Sequence, residues 1–384
     1  MRKKVKKNIL VAMSGGVDSS VAAALLLKQG YQVTGAFMKQ TAASSVEPWS
    51  EEGTKTVCAW KKDRRDALRV AAKLGISLIT LDFEKEYRQW VIKYMFAEYQ
   101  AGRTPNPDVL CNKYIKFGVW LDKARELGFD YLATGHYAQI TKTQKHKNTK
   151  TQYLLSQAVD KDKDQTYFLH QLNQDQLARV LFPIGEYTKP QVRRLARRFH
   201  LPTAEREESM GICFVGEVPM KEFLQTQITQ KKGKITLTDG TIVGEHDGLA
   251  FYTIGQRHFG RQKAEFKMQN GDTKPLYVID KRMKSNELVV GYEDDPALYR
   301  EEVVVRQVNW ICGQPPKFPL QCRVRLRHRQ RLQTSAIRLL TSTKSWSPRS
   351  EVRIAFKMPQ RAVTPGQFAV FYKNKECLGG GVIK

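Results

Sequence analysis

Short apolar runs and longer helical repeats take turns along the first third of the chain. The runs are Ile9–Met13, Val33–Met38, Ser77–Asp82 and Tyr131–Thr134. Between them, apolar residues recur at helical spacing over 21–27, 63–74, 84–101 and 115–127, and Gly75, Gly102 and Gly128 stand where the last three should stop. Strand and helix in alternation predict an α/β domain, a parallel sheet covered on both faces. Ligands of such sheets sit beyond the carboxyl ends of the strands. Two glycine-bearing stretches fall there, Ser14–Ser20 after the first strand and Gly135-His136 after the fourth. A further helix opens at Thr188, with Pro190 in its first turn and Val192, Leu195, Ala196 and Phe199 as its apolar stripe. Arg193, Arg194, Arg197 and Arg198 lie off that stripe, as a nucleic-acid contact or as a solvated face.

Past Gly216 the period shortens. Ile235–Gly240, Tyr252–Gln256, Tyr277–Ile279 and Glu287–Tyr292 read as β-strands, and the β pattern resumes from Val303 with turns at 313–316 and 364–366. Regularly spaced short strands predict a small barrel or sandwich. The expected organisation is a doubly wound parallel sheet over 1–217, a β-rich connector over 218–294 and a C-terminal β-barrel over 295–384. A chain of 384 residues has room for two or three such domains.

Charge adds a partner. The formal net charge is +26, made of +12 over 1–217, +2 over 218–294 and +12 over 295–384. Two basic ends around a near-neutral connector predict a polyanion gripped from both sides. Five arginines sharpen this. Arg323, Arg325, Arg327, Arg329 and Arg331 occupy alternate positions, so a continuous strand would line them on one face, with Val324 and Leu326 toward the core. A phosphate backbone is the natural counter-charge for such a face. No apolar run is long enough for a transmembrane helix, and the basic start, Met1 to Lys7, leads straight into a strand. A soluble cytoplasmic protein with no membrane association is expected.

The chemistry sits in four short stretches. Ser14-Gly15-Gly16-Val17-Asp18-Ser19-Ser20 joins a strand to a helix. Its glycines allow close backbone approach, and the helix start offers unpaired amides to an anion. Asp18 beside phosphates makes sense if it helps hold a divalent cation. The turn lacks the Lys-Ser/Thr ending of a P-loop and the third glycine of a dinucleotide fingerprint. Thr104–Asn112 carries two prolines, read as an extended loop, with Cys111 three positions after Asp108. Cys213 lies in a short apolar stretch, Glu208–Phe214. Either cysteine alone could be a buried small hydrophobe. Lys161–Tyr167 is a polar cluster ahead of a helical stretch. The six cysteines, at 58, 111, 213, 312, 322 and 377, form no zinc-ligand spacing, so no metal site is expected from them.

Taken together these stretches resemble the bacterial tRNA-specific 2-thiouridylases, members of the ATP-pyrophosphatase superfamily. The matching pieces are Ser14–Ser20, Thr104–Asn112 with Ile115-Lys116-Phe117, Ala133–Tyr137, Lys163–Tyr167, Gly211–Phe214, Tyr252–Arg257 and Thr364–Gln367, and they span nearly the whole chain. The resemblance implies an adenine nucleotide α-hydrolase-like first domain and ATP-dependent thiolation of the wobble uridine of tRNA. It implies that Ala12, Met13, Ser14, Gly15, Gly16, Val17, Asp18 and Ser19, with Met38 and Gly135, bind ATP and Mg²⁺. Cys213 would carry a persulfide, Cys111 would attack it and leave a disulfide, and Asp108 would be the general acid/base. Asn106, Pro107 and Asp108 would meet the target base. His136, Lys163, Asp164, Gln165, Arg327, His328 and Gln367 would touch tRNA. The implied partners are tRNAs for Lys, Glu and Gln and a persulfide donor, a cysteine desulfurase or a sulfur-relay protein, acting on a monomer. Three positions depart from the family pattern: the loop from Gln40, Glu208, and His328 in place of a tyrosine. Two other readings stay open, an ATP-pyrophosphatase acting on a small molecule and a non-catalytic tRNA-binding protein.

Overall fold

A computed structural model describes residues 6–39, 59–143, 151–207, 220–257, 265–267, 273–340 and 350–384. Cys213, Glu208 and the loop from Gln40 lie outside the described residues.

The first domain is built on five parallel strands. β1 (Asn8–Ala12), β2 (Gln32–Lys39), β3 (Leu78–Asp82), β4 (Tyr131–Ala133) and a short strand at Val180–Leu181 stand in the order β3-β2-β1-β4 and then Val180–Leu181. β1 is sandwiched, as its apolar run predicts. Leu10 packs into one hydrophobic cluster, and Ile9 and Val11 pack into another on the opposite face. Helix Val17–Lys28 follows β1, and its run of alanines and leucines is buried from Val21 to Leu26. The strand order reverses between β1 and β4. The chain therefore opens a crevice there, beyond their carboxyl ends.

The Thr104–Asn112 stretch folds differently from the expected loop. Backbone is extended only as far as Asn106, whose side chain accepts from the Val109 amide at 3.4 Å. Pro107 is the first helical residue, so helix runs through Pro107–Leu110 into a wide π-type segment Cys111–Val119, kinks at Gly118 and continues as Trp120–Glu126. Asparagine at the cap and proline at the first position start a helix, because proline's missing N–H needs no partner there. Asp108 and Cys111 thus lie a turn apart on one helix.

A hairpin, β5 (Ala138–Thr143) with β6 (Gln152–Gln157), leaves the first domain and pairs elsewhere. With β7 denoting Val180–Leu181, the middle domain supplies β8 (Gly233–Leu237), β9 (Ile242–His246), β10 (Glu265–Lys267), β11 (Thr273–Pro275), β12 (Tyr277–Arg282) and β13 (Glu287–Gly291). β12, β13, β8 and β9 form one sheet in that order. Tyr252–Gln256, expected as a strand, is instead a 3-10 exit followed by a turn in which the Gln256 amide donates to the Thr253 carbonyl at 3.0 Å. Gly255 sits at φ +84, a value that a strand cannot hold.

The C-terminal domain is a closed barrel. β14 (Tyr299–Trp310), β15 (Leu320–Arg325), β16 (Gln333–Leu339), β17 (Val352–Arg361), β18 (Phe368–Lys373) and β19 (Glu376–Ile383) pair in the order β14-β17-β16-β15-β18-β19, and β14–β19 pairing shuts the ring. Val324, Ile337, Val352, Ile354 and Phe371 fill it. β6 joins the outside of β19, Leu155 opposite Cys377.

The arginine ladder is not what forms. β15 stops at Arg325, and Leu326–Arg329 turns back, with Arg329 at φ 63. Val324 and Leu326 are buried as expected, but so is Arg325. Only part of the run faces solvent.

Candidate functional site

The nucleotide-type turn is assembled from backbone and small side chains. Gly15 has φ +76, and a Cβ there would run into the Asp63 carbonyl. Gly16 caps the Val17–Lys28 helix, and both Ser19 and Ser20 donate their hydroxyls to its carbonyl, at 3.2 and 2.7 Å. The Ser14 amide donates to Ser19 Oγ at 3.2 Å. Ala12 and Met13 lead into the turn, and Met13 N donates to Ala36 O of β2 at 2.8 Å, two residues before Met38. Gly135 closes the crevice from the β4 side. A Cβ on it would lie 2.6 Å from the Ser19 amide nitrogen. Val17, Met38 and the other expected nucleotide residues are thus gathered at the sheet's switch point. A glycine-lined cradle with hydroxyls at a helix start fits a polyphosphate.

Asp18 has company that the pattern of residues did not foresee. Lys189 Nζ lies 2.8 Å from both of its carboxylate oxygens, and the Tyr137 hydroxyl donates to Oδ1 at 2.9 Å. Among the described residues no group of three His, Cys, Asp or Glu side chains could hold a metal. Lys189 holds both Asp18 oxygens here; a magnesium ion needs only one or two carboxylates beside a nucleotide's phosphates, and Asp18 is the carboxylate of this turn that would supply one. One signal was available: a lysine in the first turn of a helix opposes the helix dipole, so it needs a carboxylate from elsewhere. Arg206 is a second unforeseen brace, donating to the Gly15 carbonyl at 2.7 Å while pairing with Asp63 and Asp66.

The cysteine site is held by the barrel. Cys111 is buried in a core cluster that the first domain shares with the middle domain and the barrel. Ahead of it, Gln367 Nε2 donates to the Thr104 and Pro105 carbonyls, both at 3.0 Å, and its Oε1 accepts from Asn106 at 3.3 Å. Thr104 N donates to Pro365 O at 2.9 Å, and Thr104 Oγ1 lies 3.2 Å from Thr253 Oγ1 of the middle domain. All three domains meet on the residue before Pro105.

Several side chains expected at the RNA make contacts within the protein. Asp164 is 1 % exposed, and its oxygens accept from Gln157, Ala158, Thr166 and Arg325. Gln165 Oε1 accepts from the Tyr137 amide at 2.9 Å. His328 lies 3.2 Å from the Asp164 carbonyl and packs on Phe168, and Arg327 donates to Arg361 O at 2.6 Å. His136 bonds Thr134 through Nδ1 at 2.7 Å. Burial, and to a lesser degree Lys116, pushes its pKa well below the ordinary value. The Lys163 amide donates to Asp160, at 3.2 Å.

Comparison with known proteins covers the same three units. Residues 7–217 match the tRNA methyl transferase HUP domain, 221–292 the tRNA methyl transferase PRC-barrel domain and 300–383 the aminomethyltransferase beta-barrel domain. The chain is 44 % identical over 384 residues to the tRNA-specific 2-thiouridylase MnmA of Streptococcus mutans, covering 98 % of this chain and 95 % of that protein. The family is settled by that match. The chain belongs to the tRNA-specific 2-thiouridylases. The MnmA of Legionella pneumophila is similar at 43 % over 383 residues, covering 99 % of each. In this 2-thiouridylase family member, Asp108 and Cys111 lie on a helix preceded by a cap that the barrel bonds. Among the described residues no helix is long and apolar enough to cross a membrane.

Proposed function

We propose that this protein is an ATP-dependent tRNA sulfurtransferase that replaces the C2 oxygen of the wobble uridine with sulfur, in tRNAs for Lys, Glu and Gln, as a cytoplasmic monomer. The observation that carries the reading is the capped helix turn bearing Asp108 and Cys111, clamped by a barrel turn in a chain whose switch point holds a polyphosphate cradle. Family membership supplies the substrate class.

The steps follow from the chemistry of the residues. The C2 oxygen of uridine is a poor leaving group. Attack of that oxygen on the α-phosphorus of ATP expels pyrophosphate and leaves C2 bonded to AMP through oxygen. The Ser14–Ser19 turn at the helix start would meet the charge on the departing phosphates, where preorganised donors are most effective. Cys213 brings a sulfane sulfur from a persulfide donor. The Cys111 thiolate attacks the Cys213 sulfur, forming a Cys111–Cys213 disulfide and freeing hydrosulfide, or the persulfide attacks C2 first and Cys111 resolves the adduct. Either route expels AMP, places sulfur on C2 and requires an external dithiol to reset the enzyme. Asp108, one turn before Cys111, serves as acid/base at the target base, with Asn106 and Pro107 beside it. His136, Lys163, Gln165 and the exposed arginines contribute to tRNA binding. Mg²⁺ brought in with ATP would offset charge on the phosphates, with Asp18 as its carboxylate.

The test uses purified protein, unmodified tRNA, ATP, Mg²⁺ and a persulfide donor. Pyrophosphate release and 2-thiouridine are expected from the native chain. Cys111→Ala should keep pyrophosphate release and lose thiolation by a factor on the order of 10³. Binding of tRNA without pyrophosphate release would overturn the reading.

A further inference from the structure

The buried Asp164–Arg325 pair and the Tyr137–Asp18 hydrogen bond belong to one short chain of contacts. Asp164 is 1 % exposed, Arg325 is 7 % exposed, and Arg325 Nη1 lies 3.3 Å from Asp164 Oδ2. Arg325 comes from barrel strand β15, whereas Asp164 comes from the first domain. Thr166 reinforces the junction, lying 2.9 Å from Asp164 Oδ2 and 3.2 Å from the Tyr372 hydroxyl of β18. The next residue, Gln165, is locked to Tyr137 at both ends. Its amide donates to the Tyr137 carbonyl, and the Tyr137 amide donates to its side-chain oxygen, each at 2.9 Å. The Tyr137 hydroxyl then reaches Asp18 Oδ1.

We infer that Tyr137, Gln165, Asp164 and Arg325 are positioning residues that let the barrel set the orientation of Asp18 in the nucleotide turn. The inference rests on the nucleotide reading of that turn. Its physical basis is the absence of slack. The Asp164 carboxylate is surrounded by donors and cannot move without leaving a buried charge short of its partners. The reciprocal Gln165–Tyr137 pair fixes both the backbone and the side chain of the intervening residue. Gly135, two residues before Tyr137, has no room for a Cβ against Ser19, so a shift of this segment presses directly on the turn. A barrel docked correctly on RNA and a nucleotide turn in reactive geometry thereby become one arrangement.

The experiment compares full-length Tyr137→Phe, Arg325→Lys and wild type. It measures the KM for ATP in pyrophosphate release, the Kd for tRNA, and hydrogen exchange at residues 13–20 without any ligand. Tyr137→Phe should raise the ATP KM about tenfold, the size expected for losing a hydrogen bond to a charged group, and leave the tRNA Kd within twofold. Arg325→Lys keeps the charge but shortens the reach. It should give the same ATP signature from another domain, with faster exchange at 13–20 and unchanged exchange in β2. Faster exchange confined to the barrel in Arg325→Lys, or an ATP KM unmoved in both variants, would overturn the inference. The exchange measurement needs no turnover, so it decides the relay even if wild type proves to release no pyrophosphate.

Discussion

The glycine turn after β1 and the arginine run after Leu320 are both polar stretches attached to a strand, yet they fold by opposite rules. In the turn, every expected element of geometry is local: Gly15 at positive φ, Gly16 at the cap, hydroxyls bonding one turn back. In the run, the strand ends after the second arginine, and the five cations separate. Arg325 goes inside to Asp164, while Arg323, Arg327, Arg329 and Arg331 stay outside, Arg323 and Arg327 donating to the carbonyls of Asn374 and Arg361. Conformations that backbone sterics impose can be read from neighbours in sequence. Destinations of long side chains depend on partners far along the chain.

The comparison can be broken most forcefully at Arg325. Arg325→Ala leaves the Asp164 carboxylate buried without its counter-charge and should cost about 3–5 kcal/mol of stability, read by urea denaturation. An effect as small as that of an exposed arginine would mean that Asp164 finds another cation. Gly135→Ala probes the other side. The added methyl presses on the Asp18 and Ser19 backbone, so it should lower stability by about 1–3 kcal/mol, read by thermal melting, and weaken ATP binding, checked by calorimetric titration. Next in size, Gln367→Ala removes three hydrogen bonds from the 104–106 cap and should lower stability by about 1–2 kcal/mol, measured by thermal melting. Its thiolation rate should fall further than its tRNA affinity, since the clamp lies ahead of Cys111. The smallest effect belongs to Arg329→Ala on the exposed turn. It should lower the slope of log Kd for tRNA against log salt by about 0.7–0.9, whereas a buried arginine contributes no phosphate contact to that slope.

Much of the fold was legible for the same reason as the turn. Apolar runs with helical spacers predict the parallel sheet, and β1 is buried on both faces as its unbroken run requires. Thr188 and Pro190 mark a helix start that the structure keeps. The Asn106–Pro107 start is the same signature, but the preceding Pro105 makes the stretch read as an extended loop. Tyr252–Gln256 has β-forming residues around a glycine whose left-handed φ decides the outcome. The site was legible in its backbone half and not in its charged half. Nothing local ties Lys189 to Asp18, or Gln367 to Thr104; only the folded chain brings them within 3 Å. Resemblance to a family names residues around a reaction, and packing then shows which of them also hold the protein together.

The β5–β6 hairpin has a consequence for synthesis on the ribosome. Its outer partner, β19, is translated long after β6, since Leu155 pairs with Cys377. A nascent chain therefore carries an uncovered strand edge through the making of the middle domain and nearly all of the barrel. Open edges invite pairing with other chains. Chains that stall before Glu376 should be the ones that chaperones find.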